Sequence, residues 1–286
     1  MGNHPINIPL SINNKNLFFK WGHRGKAYAK CLVLKSVHSF KKNFVMKKIG
    51  LLLTFFLVAT SFFAQNREKK RDSDITERYN LSDFTAIDAD LGADIYIRQA
   101  DTFSIVIEGP EQGINRMTLR VKDGKLLITK QYNWQFWNEF EKVRIYITAP
   151  LLVEVAFSGA GNIVFQGKWA GEKLDILLEG AHNVTAKDVD INALKVKLYG
   201  VGNLTMGGNA QKARLFLNGT GNIDAYDLKI QNARCVVNGV GRLECYVTEE
   251  LKADVSGLGS VYYRGDPKNV QSSVSGLGKV KAQKGY

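Results

Sequence analysis

The 286-residue chain is poor in the residues that usually carry catalysis or cross-links: four histidines, three cysteines and five prolines. Only His182 lies beyond residue 65, so a Ser-His-Asp relay or a histidine-built metal site has almost nothing to draw on. Cys235 and Cys245 are the only cysteines in that part, which excludes a disulfide-dense scaffold. Convincing helical periodicity is absent there too. Acidic residues are missing altogether from residues 1–65, which hold ten of the 39 Lys and Arg. The remainder therefore carries 29 − 27 = +2, although the whole chain is formally +12. That balance argues against nucleic acid as a partner.

What residues 1–65 do contain is an address. Met46-Lys47-Lys48 precedes an apolar run over 49–63, followed by Ala64-Gln65. A short basic region ahead of about 15 apolar residues predicts a secretory signal peptide at 46–65. The run is shorter than the roughly 20 residues a membrane span needs. Cleavage after Ser61 fits best; an uncleaved anchor is the alternative. Residues 1–45 read as an extension ahead of a true start at Met46, or as a long leader. With the signal removed, no integral membrane segment and no cofactor are expected. The protein is then exported, to the periplasm, the outer surface or the medium. Residues 66–79 form a polar, flexible leader. Residues 80–286 form one β-rich domain, with N-terminal strands over 80–150 and repeats over 151–286.

The repeats are marked by glycine. Gly159-Ala-Gly161-Asn-Ile163 returns as Gly180-Ala-His182-Asn-Val184, Gly200-Val-Gly202-Asn-Leu204 and Gly219-Thr-Gly221-Asn-Ile223. It continues as Gly239-Val-Gly241, Gly257-Leu-Gly259 and Gly276-Leu-Gly278, at spacings of 21, 20, 19, 20, 18 and 19 residues. Apolar columns flank each pair, two and four residues before the first glycine and four after it. Period-two alternation on both sides of a glycine corner predicts two short strands per repeat. One repeat cannot bury its apolar row alone; stacked copies can. The expected fold is therefore all-β: a single-stranded parallel β-helix or β-solenoid of about seven coils, preceded by N-terminal strands. At about 4.8 Å per coil it would rise roughly 34 Å. The glycines would be structural corners, because glycine accepts positive φ and close backbone approach. Leu91-Gly92-Ala93-Asp94-Ile95 reads as a degenerate first copy, and Asp123-Gly124 as a hairpin turn.

Repeated "SGxGxV"-type turns, the upstream "IYITAP" strand and the segment ending "VYYRGDP" resemble the head GIN domain family. This is a family of auto-transporter-type adhesins found mainly in exported proteins of Bacteroidetes. The resemblance covers roughly residues 84–282. It implies a β-helical fold and an adhesive role, and it offers no catalytic motif.

Among candidate binding residues, Tyr132, Trp134, Phe136, Trp137 and Phe140 concentrate in one 13-residue stretch. Exposed, they would stack on sugar rings; buried, they would close the end or side of the repeats. Glu154, Asp175, Lys195, Arg214, Arg234 and Lys252 share an outward column and read as solvated charge ladders or as a polyanion-binding stripe. Leu177, Phe216 and Val236 form an outward apolar strip suited to cover by other strands or a subunit contact. Cys235 and Cys245 flank one corner as buried thiols or as a disulfide. Arg264-Gly265-Asp266 spells an integrin-recognised tripeptide, but a turn after a strand explains it. The glycine pairs open no helix and lack the third glycine of a dinucleotide site. Expected partners are a surface glycan or an envelope protein, and a homo-oligomer is compatible with the strip. A non-enzymatic exported adhesion or binding protein fits best. A structural, self-assembling envelope module comes second and a carbohydrate-active enzyme third.

Overall fold

The computed structural model describes residues 11–12, 15–16, 74–131 and 143–283. The chain divides into two compact units, Met1–Lys69 and Lys70–Tyr286. In the first, β1 (Ser11–Ile12) and β2 (Lys15–Asn16) pair antiparallel. The expected signal segment lies outside the described residues.

The second unit is built from strands. In chain order these are β3 (Asp74–Tyr79), β4 (Ala86–Gly92), β5 (Asp94–Gln99), β6 (Ser104–Pro110), β7 (Met117–Lys122), β8 (Lys125–Lys130) and β9 (Arg144–Ala149). Then follow β10 (Glu154–Gln166), β11 (Trp169–Gly257), β12 (Ser260–Arg264), β13 (Asn269–Gly276) and β14 (Lys279–Ala282). One helical turn, α1 (Glu111–Ile114), follows β6. The β11 run is extended backbone that passes through several repeats.

Parallel pairing sets each repeat on the one before. Gly159 pairs with Gly180 between β10 and β11, and Gly257 with Gly276 between β11 and β13. The predicted inward columns are buried in the first six repeats: Phe157, Leu178, Leu198, Leu217, Val237 and Val255 stand two residues before the glycine. In the seventh repeat the equivalent Val274 is 44% exposed, with no further strand of the sheet over it among the described residues. Burial of each such aliphatic side chain contributes about 1.5–3 kcal/mol.

The expectation of a single-stranded parallel β-helix of seven coils is overturned. The strands form one 12-stranded mixed sheet, a half-barrel with parallel and antiparallel pairs. β3 runs antiparallel to β6, β6 to β9, and β7 to β8. The cause is local for the last pair. Asp123 (φ 52°) and Gly124 (φ 71°) both take positive φ, and Lys122 pairs with Lys125, so a two-residue turn reverses the chain. Nor do the upstream strands simply precede the repeats. β4 and β5 pair parallel with β10, matching Leu91 to Gly159 and Ile95 to Ile163, so the first repeat continues directly into them.

Candidate functional site

The glycine columns define the edge from which the outer face is hung. A Cβ added at any of the thirteen predicted glycines (159, 161, 180, 200, 202, 219, 221, 239, 241, 257, 259, 276 and 278) would lie 1.8–2.9 Å from another residue. At most of them the obstacle is backbone of the preceding repeat. Gly219, at φ +141°, would place its Cβ 2.1 Å from the Gly200 carbonyl oxygen. Beside this edge the asparagines form a ladder. Asn162 Nδ2 donates to Asp94 Oδ1 (2.8 Å), Asn183 to Asn162 (3.4 Å), Asn203 to Asn183 (3.3 Å) and Asn222 to Asn203 (3.0 Å). These bonds tie the amides of successive repeats to one another.

The aromatic candidates Tyr132, Trp134, Phe136, Trp137 and Phe140 lie outside the described residues. The outward charge column is described in full, and its members differ. Lys125 Nζ meets Glu154 at 2.7 Å, Lys173 meets Asp175 at 3.1 Å, Arg234 meets Asp254 at 3.3 Å, and Lys252 meets Glu250 at 3.1 Å. Between these pairs, Lys195, Lys197, Lys212 and Arg214 have no carboxylate partner among the described residues. Lys197 Nζ lies 6.0 Å from the Tyr199 ring centroid.

Two shallow surface grooves run through this stretch. One of about 180 Å³ is lined by Glu154, Asp175, Ile176, Leu177, Lys195 and Lys197. The next, of about 340 Å³, is lined by Lys173, Asp175, Ala193, Leu194, Lys195, Lys212 and Arg214. Asp175 and Lys195 line both, so the grooves adjoin. The second presents four cations and one carboxylate. The charge column pointed here, but Lys197 and Lys212 stand two residues to either side of it, and only their position beside Lys195 and Arg214 marks them.

Other candidates occupy defined places. Leu177, Phe216 and Val236 are half-buried, and Leu177 is part of the first groove. His182 takes the second glycine position of its repeat and is buried, with Nε2 3.1 Å from the Glu179 carbonyl oxygen. Burial pushes its pKa down, outweighing its backbone hydrogen bonds. Cys235 and Cys245 are free thiols, both fully buried, with sulfurs 3.8 Å apart. The contact with Cys245 and burial raise the Cys235 pKa well above the ordinary thiol value. Arg264, the first residue of the integrin-type tripeptide, lies 3.9 Å over the Tyr226 ring and is only part-exposed. Burial lifts the Tyr226 phenol to about 12, with the nearby Glu244 charge adding to the shift. No group of three or more His, Cys, Asp or Glu suited to a metal ion occurs among the described residues.

Taken together, this is an all-β repeat unit whose strands carry an apolar core on one side and a patterned charged face on the other. The chain belongs to the family described as "Putative auto-transporter adhesin, head GIN domain", whose model matches residues 83–267. It is similar to the crystal structure of a putative adhesin from Bacteroides fragilis at 31% identity and a TM-score of 0.71, over 74% of this chain and 97% of that one. A putative adhesin from Parabacteroides merdae is 25% identical with a TM-score of 0.53, over 75% and 98% of the two chains. A putative lipid binding protein from Parabacteroides distasonis shares the fold at 21% identity, with a TM-score of 0.61 over 75% and 98%. No curated protein sequence matches the chain.

Proposed function

We propose that this is an exported, non-enzymatic adhesion protein of the bacterial envelope or cell exterior, binding through the outer face of its repeats. The observation that carries the reading is membership of the "Putative auto-transporter adhesin, head GIN domain" family over residues 83–267, joined to 31% identity with a putative adhesin across nearly all of that protein. Physical chemistry supports it. Stacked strands hold outward side chains at fixed spacings, so many weak contacts form without an ordering cost at each one. The apolar run at 49–63 supports export. No helix among the described residues is long and apolar enough to cross a membrane.

Retention of the purified protein on a broad glycan array tests the proposal, alongside a Trp134→Ala/Trp137→Ala variant. Retention of specific glycans supports adhesion, and its loss in the variant assigns the contact to the aromatic stretch. Retention of nothing by either protein removes glycan adhesion.

One observation favours a second reading, that of a self-associating envelope module. Among the described residues, strand β13 pairs with β11 on one side only, contains no charged residue, and exposes Val270 (40%) and Val274 (44%). Edge strands are ordinarily blunted by charge or proline, and this one is not. A second copy adding its own edge would cover both valines. Sedimentation that stays monomeric at high protein concentration would remove this reading.

A further inference from the structure

We propose that the groove carrying Lys195, Lys212 and Arg214 binds a short stretch of an acidic polysaccharide. The inference rests on the adhesion reading above and names a ligand class for it.

Charge is the first argument. Four cations face one carboxylate in this groove, and among the described residues only Lys173 of the four has an acid partner. On either side the pattern stops. Lys125–Glu154 closes the stretch toward the N-terminus, and Arg234–Asp254 and Lys252–Glu250 close it toward the C-terminus. The uncompensated charge therefore spans two neighbouring repeats. That length suits a few sugar units and is too short for a duplex nucleic acid, which calls for a basic face of much greater extent.

Spacing is the second argument. Lys195 and Arg214 each stand five residues before a first glycine, and those glycines, Gly200 and Gly219, are in direct contact. The two residues thus sit on adjoining repeats within β11, whose backbones run about 4.8 Å apart. Backbone pairing fixes the spacing of these anchor points before any ligand arrives, which lowers the ordering cost of meeting successive acidic groups on a polymer.

The rest of the lining distinguishes an acidic sugar from other polyanions. Asp175 borders both grooves and can accept hydrogen bonds from hydroxyl groups. The internal units of a polyphosphate carry no hydroxyl donor for that carboxylate, whereas sugar units do. Ala193 in this groove and the half-buried Leu177 in the adjoining one supply apolar surface for the C–H faces of sugar rings. The described lining contains no aromatic ring on which single-stranded nucleic acid bases would stack.

The test is titration of the purified protein with polygalacturonate and with heparin, using neutral dextran and inorganic polyphosphate as controls. The triple variant Lys195→Gln/Lys212→Gln/Arg214→Gln is measured in parallel. All three residues are on the surface, and an unchanged circular dichroism spectrum verifies that the variant folds. The expected result is binding to an acidic polysaccharide and none to dextran. The variant should weaken it about 10- to 100-fold, as loss of three charge contacts, two exposed and one half-buried, implies. Raising the salt to about 0.5 M should weaken it as well. Binding that the variant leaves intact overturns the groove assignment while adhesion stands. Equal, variant-sensitive binding of polyphosphate overturns the sugar assignment, and no binding to either polysaccharide overturns both. Failure of the adhesion reading is recognised separately, by loss of all retention on the glycan array.

Discussion

Replacing Gly219 with alanine tests whether backbone contact between repeats holds the sheet in register. The added Cβ would lie 2.1 Å from the Gly200 carbonyl oxygen and about 3.0 Å from two further backbone atoms of that residue. None of these is the end of a flexible side chain. Relief therefore requires one repeat to move away from another, which stretches the hydrogen bonds on both sides. Overpacking of this kind costs about 1–3 kcal/mol, and an alanine forced to φ +141° adds about 1–3 kcal/mol. The sum is about 4 kcal/mol, against total stabilities of about 5–15 kcal/mol for ordinary domains. For a unit of this size that lowers Tm by roughly 8–16 °C. Gly124→Ala is the control. Its φ is also positive, at +71°, but nothing lies within 4 Å of the added carbon. Only conformational strain applies there, about 1–2 kcal/mol. Thermal and urea unfolding followed by circular dichroism measures both. If Gly219→Ala costs no more than Gly124→Ala, close approach between repeats is not what selects glycine, and the reasoning fails.

The buried His182 and the thiol pair give two further expectations. Because burial depresses the His182 pKa, the unfolded chain takes up a proton more readily than the folded one as pH falls below about 6.5. The contribution of neutral His182 to stability is therefore complete above that pH and declines below it. The urea midpoint should be lower near pH 5 than near pH 7.5, and His182→Gly should flatten the difference; an unchanged slope in the variant would refute this. For Cys235 and Cys245, burial, with a raised pKa at Cys235, predicts that neither reacts with a thiol reagent in the native protein and that both react after unfolding. A native protein lacking two titratable thiols after denaturation without reductant would show a disulfide instead.

The inward columns were legible because burial on a strand depends on alternation, which the sequence displays directly. Val155, Ile176, Val196, Leu215, Cys235 and Ala253 all face the core as alternation predicts. Their seventh counterpart, Ser272, is exposed, since an inward position needs a following strand and none covers it among the described residues. The mixed character of the sheet was not legible. A period shows what stacks on what, but carries no strand direction for segments outside the period, such as β3, β6 and β7. Of the site, the charge column could be read but its pairing could not. Arg234 and Arg214 look equivalent in sequence. The first meets Asp254, 20 residues further on, and the second meets no carboxylate among the described residues. The outcome depends on what the adjoining repeat places alongside. The 132–140 aromatics, the strongest sequence candidates, lie outside the described residues.

The most direct test of the account is adherence itself. A strain of the producing bacterium lacking this gene is complemented with the wild-type gene or with Lys195→Gln/Lys212→Gln/Arg214→Gln, and its attachment to surfaces coated with acidic polysaccharide is counted. The account predicts that deletion reduces attachment, that wild type restores it, and that the variant, present at equal level, does not. Attachment unaffected by deletion would contradict the adhesive role, and full restoration by the variant would contradict the groove as its site.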